Sequence, residues 1–338
     1  MSFTRLPLLP LLKAFGHLDD LDMLNLSFCS RRTAKLVKAS NRLTFTILFD
    51  SHGETHEISV RTLMTMFTIR LDPSSRRHIL PRRLLQDMAV HGTISFRGFE
   101  MRSYKPIRCH FEPSGTIFYD TREDLMVLHK TLTKHFLDLH VTSPRLNLTL
   151  APSEILTHPF LKNWKKWDMV TISWYTGRSY VTSEEMRFLL NFSKYTNDLK
   201  IEREVENGFQ YSKGFQLYII HFSHSSWVQM DSIINSTSQY ITLGKFPRPT
   251  AFQLINLLKL WIAKEKMVNL WSLSLDSDLV DSAEPIRSDE FRREIWRGIG
   301  LSRLDDAITG EIRRYDGVRA RVFLRDSSFC LQKLVPCE

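Results

Sequence analysis

The sequence is poor in the residues and motifs that catalysis and metal binding need. It contains only four cysteines, Cys29, Cys109, Cys330 and Cys337, and no two of them form a CxxC pair. This spacing favours neither a zinc site nor a disulfide framework, and it suits a reducing compartment. The P-loop, dinucleotide-binding, nucleophile-elbow and zinc-protease signatures are all missing. We therefore expect no catalytic residue, no metal and no cofactor.

Long hydrophobic runs are also missing. No apolar stretch approaches the roughly 18–20 residues that a membrane-spanning helix needs, so we expect no membrane partner. The first twenty residues are partly apolar, but acidic residues follow and no small-residue cleavage site is present. They predict a short amphipathic region and not a signal peptide. These features favour an intracellular protein, in the cytoplasm, the nucleus or both.

The composition is that of a globular protein with an excess of positive charge. Hydrophobic residues make up 43% and charged residues 25% of the 338 positions, with a net charge of +9, so we expect two or three domains. Most of the excess lies in residues 61–108, which hold ten Lys or Arg residues against three acids. This segment predicts either a nucleic acid or acidic partner, or a solvated arginine-rich surface. We favour the solvated surface, because charged runs are most often solvated surfaces; the aromatic residues there also match no RNA-binding signature.

Three short helices are predicted in residues 6–40. Leu8, Leu11, Leu12 and Phe15 recur at helical spacing. Two acidic residues at 19–20 can begin a second helix with Leu21, Leu24 and Leu26, and Ser30 can cap a third helix over 31–39. Three short helices are too small to be stable alone. We therefore expect their apolar side chains to pack on a neighbour or on a partner.

The next hundred residues are predicted to be β-rich. The runs 43–50 and 56–60 favour a hairpin, and 93–99 favours a further strand. Residues 123–137 have the apolar periodicity of an amphipathic helix. The remainder of 61–115 is interrupted by four prolines and gives no clear assignment.

A repeated alternation of strand and helix follows from about residue 144. Strands are predicted at 146–150, 168–174, 198–203, 215–222, 240–244 and 270–276. Helices are predicted at 152–166, 183–192, 225–234 and 251–263. Such alternation is typical of an irregular leucine-rich-repeat-like solenoid or of a parallel α/β layer. The turn pair Asp316-Gly317 predicts a hairpin over 311–324.

The N-terminal helices resemble a known domain. Leu6-Pro7, the apolar series from Leu8 to Leu26, the turn Cys29-Ser30-Arg31-Arg32 and the closing Leu36-Val37-Lys38 are similar to the F-box, particularly the form of the large nematode families. Pro10 departs from the pattern and is tolerable only near the start of its helix.

The later part of the chain resembles the F-box-associated domain, type 2, of nematode proteins. The similarity lies in Ser226-Trp227-Val228, in Trp261 near the end of a predicted helix before a leucine-rich strand, and in the segment 312–317 with Arg314, Asp316 and Gly317. It implies an α+β protein with an F-box at 1–40, a β-rich connecting region at 41–140 and a mixed β/α substrate-recognition domain at 141–338.

The resemblance implies a non-catalytic adaptor that recruits a protein substrate to a Skp–cullin–F-box ubiquitin ligase. Its adaptor-binding residues would be Leu6, Pro7, Leu8, Leu11, Leu12, Phe15, Leu18, Leu21, Leu24, Leu26 and Leu36. A Skp-type adaptor and, through it, a cullin would be the partners. Trp174, Tyr175 and Arg203 are our candidates for substrate contact. The alternative is a binding module outside the ubiquitin system that uses 61–108 for nucleic acid or an acidic partner.

Overall fold

A computed structural model describes most of the chain as two compact units, Met1–Leu150 and Ala151–Glu338. The predicted segments 1–40 and 41–140 therefore share the first unit. The described residues are 8–15, 17–18, 20–40, 46–52, 55–61, 66–73, 88–96, 99–106, 118–121, 125–139, 145–157, 161, 167–173, 178–191, 196–277, 289–301, 308–325 and 327–335.

The first unit begins with the three expected helices, α1 (Leu8–Phe15), α2 (Asp20–Cys29) and α3 (Arg31–Ser40). Pro10 falls in the first turn of α1, where a backbone N–H has no partner within the helix, so the proline removes no hydrogen bond. A fourth helix, α4 (Leu125–Leu139), confirms the prediction at 123–137. Leu132 and Phe136 of this helix are fully buried.

Seven strands of the first unit are joined in one sheet. They are β1 (Thr46–His52), β2 (Thr55–Arg61), β3 (Met66–Pro73), β4 (Met88–Phe96), β5 (Phe99–Pro106), β6 (Phe118–Thr121) and β7 (Arg145–Leu150). Their order is β7-β1-β2-β3-β6-β5-β4. The predicted hairpin is confirmed, because β1 and β2 pair antiparallel from Thr46↔Arg61 to His52↔Thr55.

The strand predicted near 93–99 is found only in part, as the end of β4. Phe96 ends β4 and pairs directly with Phe99 at the start of β5, so the chain reverses within the predicted strand. Gly98 was the missed signal, since a glycine between two β-rich runs favours a tight hairpin connection. β3 and β6 were not assigned from the sequence.

The second unit contains a sheet of eight strands and a small separate ribbon. The sheet strands are β8 (Trp167–Ile172), β10 (Thr196–Ile201), β12 (Ile219–Phe222), β13 (Tyr240–Leu243), β14 (Ser272–Asp276), β15 (Thr309–Arg313), β16 (Arg319–Leu324) and β17 (Ser328–Lys333). Their order is β15-β16-β17-β14-β13-β12-β10-β8. The ribbon pairs β9 (Tyr180–Val181) with β11 (Glu204–Val205).

Among the described residues, four helices with defined bounds accompany this sheet, α5 (Ser183–Asn191), α6 (Met230–Ile234), α7 (Ala251–Ile262) and α8 (Asp289–Gly298). The predictions at 183–192 and 251–263 are confirmed. The helix at 225–234 is shorter than predicted, because Trp227 and Val228 lie in a turn. The N–H of Tyr211 donates to the carbonyl of Trp227, and the N–H of Gln229 donates to the carbonyl of Tyr211. The described start of 152–166 is only a single turn, Pro152–Glu154. α8, β17 and the ribbon were not predicted.

The parallel strands β8, β10, β12, β13 and β14 are neighbours in the order in which the chain makes them. Because crossovers between parallel strands are right-handed, a sheet that grows in one direction keeps its connections on one face. Burial agrees with this arrangement: Ile220, Phe222, Ile241, Leu243 and Leu273 are at most 1% exposed. The residues that alternate with them are half-buried. The second unit therefore has one covered and one open sheet face, as a leucine-rich-repeat-like layer does.

In the part of the chain that the structure describes, no helix is both long and apolar enough to cross a membrane.

Candidate binding surfaces

Some apolar residues of α1, α2 and α3 are buried between the helices, and others lie at the surface. Phe15, Leu24 and Leu36 are buried and hold the three helices together. Leu12, Leu18 and Leu26 are half-exposed. Leu8, Leu11 and Leu21 lie within the helices, but their side chains are outside the described residues, as are Leu6 and Pro7 altogether. Of the predicted adaptor-binding residues, the half-exposed leucines are those that the described structure leaves within reach of a partner.

The junction between α2 and α3 is held by reciprocal hydrogen bonds. Oγ of Ser30 accepts the N–H of Thr33 at 3.0 Å, and Oγ1 of Thr33 accepts the N–H of Ser30 at 2.9 Å. This confirms Ser30 as the cap of α3, since an N-cap side chain satisfies a backbone donor that has no partner in the helix. The bonds fix where α3 begins relative to the end of α2.

The helix trio packs on α4, which lies about a hundred residues later in the chain. Phe28 of α2 stacks on His135 with ring centroids 4.9 Å apart, and it meets Phe136 edge-on at 5.7 Å. All three side chains are at most 3% exposed. The trio therefore forms part of the core of the first unit and is anchored through α2.

The predicted substrate contacts are only partly within the described residues. Trp174 and Tyr175 lie outside them. Arg203 is half-buried, and its Nε donates to the carbonyl of Ser173 at 3.1 Å. This bond ties the carboxyl end of β10 to that of β8, so the described contact gives Arg203 a bracing role. Its assignment to substrate remains a prediction.

Polar and aromatic side chains form an aligned row on the open sheet face. Lys200, His221, Thr242, Ser274 and Cys330 are partners in register on β10, β12, β13, β14 and β17. The pKa of His221 is lowered, mainly because burial disfavours its charged form and also because Lys200 is near; Glu202 and Asp276 act in the opposite direction. His221 is thus biased towards the neutral imidazole, which both donates and accepts hydrogen bonds.

The tip of the C-terminal hairpin is fixed by Arg314, whose side chain is buried. Its guanidinium donates to both carboxylate oxygens of Asp316, at 2.9 and 2.8 Å, and to the carbonyl of Val268 at 2.8 Å. It also lies over the ring of Trp261, 5.4 Å from the centroid. The hairpin prediction is confirmed, with Gly317 at φ +90°. Arg314, Asp316 and Trp261 together attach the hairpin to the end of α7.

The hairpin also presents charged residues that the sequence analysis did not select. Arg313 on β15 and Arg319 and Arg321 on β16 are exposed, as is Arg325 just beyond β16. The signal was present as the alternation of arginine with apolar residues in 319–324, but this segment was interpreted only as part of the predicted hairpin and of the family resemblance. The described residues contain no group of three His, Cys, Asp or Glu side chains suited to a metal ion.

Comparison with known families identifies the helix trio. A model of the F-box domain matches residues 3–45, a range that contains α1, α2 and α3. The match supports an F-box protein, and an F-box suggests an adaptor that binds a Skp-type protein in a ubiquitin ligase. F-box proteins are generally non-catalytic substrate adaptors. No match was found among curated proteins or among solved structures.

Proposed function

We propose that this chain is the substrate-recruiting subunit of a Skp–cullin–F-box ubiquitin ligase. The F-box would bind the Skp-type adaptor, which joins the cullin, and the second unit would bind the target protein. The F-box match to residues 3–45 carries the proposal. The half-exposed leucines Leu12, Leu18 and Leu26 support it, because they leave apolar surface that a partner can cover.

The proposed mechanism requires no nucleophile in this chain. A target held on the second unit would meet the ubiquitin donor within one complex, so its lysines would react at a high effective concentration. The chain would contribute by binding both partners at the same time.

We further propose that the second unit is an F-box-associated domain, type 2, of the nematode form. Trp227 is buried in a turn before α6, Trp261 is buried near the end of α7 before β14, and Arg314 joins Asp316 to that helix end. These are the positions on which the sequence resemblance depends. The open face of its sheet would be the recognition surface, because side chains that project from rigid strands are held in position for binding. An intracellular location, cytoplasmic or nuclear, follows from the proposal.

The decisive experiment replaces half-exposed leucines of the F-box by charge. In the triple variant Leu12→Glu, Leu18→Glu and Leu26→Glu, co-purification with a Skp-type adaptor should be lost, because buried carboxylates would face the apolar surface of the adaptor. The matched control is Val127→Glu on α4, an apolar side chain that is 49% exposed. It should keep the adaptor. Equal binding by the folded triple variant and the wild type would contradict the proposal.

Point variants are a cleaner test here than deletion of residues 1–40. Deletion would uncover His135 and Phe136 of α4, which are buried against Phe28. Loss of adaptor binding in the deletion would then be mixed with damage to the rest of the first unit. Circular dichroism of each point variant establishes that both units remain folded.

A further inference from the structure

The C-terminal hairpin places arginines on the open face of the second unit. Gly310 and Ile312 of β15 and Ala320, Val322 and Leu324 of β16 point to the covered face and are buried. The alternate residues therefore point to the open face, since neighbouring side chains on a strand alternate. They include Arg313, Arg319 and Arg321; Arg325 follows on the same side, over the ring of Phe323 at 5.7 Å. We call these four arginines the arginine face.

Two of these arginines are held directly opposite each other. Arg313 pairs with Arg319, and Glu311 pairs with Arg321. The backbone hydrogen bonds join Arg314 to Val318 and Leu324 to Ile308. The pairs Arg313–Arg319 and Glu311–Arg321 are therefore of the non-hydrogen-bonded type, in which side chains approach most closely. Like charges opposite each other destabilise a sheet. An anion between Arg313 and Arg319 would remove that repulsion.

The positive charge of the arginine face is only partly balanced. Among the described residues of β15 and β16, Glu311 is the one carboxylate on this face, and it lies 3.1 Å from Arg319. Asp316 at the hairpin tip is engaged by Arg314 and by Lys264. Asp276 lies on the open face at the end of β14, two strands from β16. Ser328 of β17 lies between Asp276 and Arg325, so the four guanidinium groups share two carboxylates, Glu311 and Asp276.

The strand beside the arginine face carries uncharged side chains on the open face, Cys330 and the exposed Gln332, which is opposite Arg321. Phe323 is opposite Cys330 of β17, and Cys330 is opposite Ser274 of β14. These neighbours have small side chains and are half-buried. Arg319, Arg321, Phe323 and Arg325 recur every second residue, which is the repeat of an extended peptide. A segment lying along β16 can therefore meet each of them in turn.

We propose that the arginine face binds an acidic, extended segment of the protein that the second unit recruits. This inference rests on the proposed substrate-binding role and names the chemical class of the bound segment. Carboxylates at alternate positions of the segment would pair with Arg319, Arg321 and Arg325, because a planar guanidinium group donates two parallel hydrogen bonds to one carboxylate. An apolar residue of the segment would contact Phe323. The two-residue repeat favours a peptide over nucleic acid as the occupant.

The test measures fluorescence anisotropy of a labelled decapeptide of alternating Glu and Ser on the full chain, both with and without a Skp-type adaptor. A peptide of alternating Gln and Ser is the uncharged control. We expect the Glu peptide to bind the wild type. Its affinity should fall about tenfold or more in the double variant Arg321→Gln, Arg325→Gln, because charge-assisted hydrogen bonds would be lost. Binding should also weaken as salt screens the exposed charges.

A control for net charge is the pair Arg293→Gln and Arg297→Gln on α8. Both side chains are exposed, and α8 packs on the covered side of the sheet, where Trp296 lies against Gly310. This variant should bind the Glu peptide as the wild type does. An equal loss in both double variants, no loss in either, or tighter binding of a single-stranded oligonucleotide than of the Glu peptide would overturn the inference. Adaptor co-purification with the arginine-face variant should be unchanged, and failure of the wild type to bind the adaptor would contradict only the proposed function.

Discussion

The hydroxyl of Ser27 lies 2.9 Å from Nε2 of His135, and both side chains are almost completely buried. The single proton of the hydroxyl is donated to the carbonyl of Leu24 at 2.6 Å. The hydroxyl therefore accepts from His135, which assigns the proton of the ring to Nε2. This bond joins the middle of the F-box to α4, which follows β6 in the sequence of the same unit.

Removing that acceptor should weaken the first unit. We expect Ser27→Ala to lower its free energy of unfolding by about 1–3 kcal/mol, because the N–H of His135 would stay buried without this acceptor. Hydrogen exchange of the α2 and α4 amides measures the effect. Ser40→Ala, which removes a half-buried hydroxyl that bonds to Val37 in α3, is the control and should change exchange much less. Equal protection in Ser27→Ala and wild type would contradict the assigned role.

The pKa of Asp316 predicts a dependence of stability on pH. Hydrogen bonds from Arg314 hold this pKa well below its ordinary value, and bonds from Lys264 and from the N–H of Val318 act in the same direction. Since the folded pKa is the lower one, the carboxylate stabilises the fold above the unfolded pKa of about 3.9 and loses this effect as pH falls towards the folded value.

Urea unfolding of Asp316→Asn checks this sign. The variant should unfold at lower urea than the wild type at neutral pH, and the difference should shrink as the pH is lowered below about 4. Glu265→Gln removes an exposed carboxyl from the neighbouring loop and serves as the control. A difference between Asp316→Asn and wild type that stays constant from neutral to acid pH would count against the ion pair with Arg314.

The close approach of Gly214 to Asn235 predicts an intolerance of any side chain. A Cβ at Gly214 would overlap the backbone oxygen of Asn235, so the turn before β12 and the end of α6 would have to separate. We expect Gly214→Ala to cost about 3 kcal/mol of unfolding free energy, at the upper end for overpacking. Ser212→Ala, two residues earlier and exposed, should leave the urea midpoint nearly unchanged. Equal midpoints for the two variants would refute the contact.

The first turn of α7 carries a capping box that should be measurable. Oγ1 of Thr250 accepts the N–H of Gln253 at 3.2 Å, and the N–H of Thr250 donates to Oε1 of Gln253 at 2.9 Å. Thr250→Ala should destabilise the second unit by about 1 kcal/mol, whereas Thr250→Ser should restore most of the loss. Urea unfolding monitored by tryptophan fluorescence compares the three proteins. Identical curves for Ala and Ser would show that the cap contributes nothing.

Local patterns predicted much of the fold. The helices α1 to α4 and α7 were read from apolar spacing, and the final hairpin was read from Asp316-Gly317, because these signals are contained in a few neighbouring residues. The hairpin at Phe96 and Phe99 and the turn around Trp227 were missed because a favourable strand or helix pattern runs through each. In the second case, bonds to Tyr211 override the local preference.

The candidate surfaces were less accessible to sequence reasoning. Leucine spacing selected Phe15, Leu24 and Leu36 together with Leu12, Leu18 and Leu26, yet the first three are buried and the others are half-exposed. This division depends on packing partners such as α4 that lie far away in sequence. The facing arginines Arg313 and Arg319 likewise become neighbours only through the register of β15 and β16.

The sequential order of β8, β10, β12, β13 and β14 has a consequence for how the protein is made. Each of these strands pairs with the one that precedes it in the sheet and in the chain. Each new pairing therefore closes only a short segment of chain, and the entropy lost at each step is small. The sheet of the second unit can therefore assemble while the chain leaves the ribosome. The hairpin of β15 and β16 is joined to the rest of the sheet through β17, which pairs with β14 on one side and with β16 on the other. The arginine face can thus take its place on the sheet only once β17 has paired with β14.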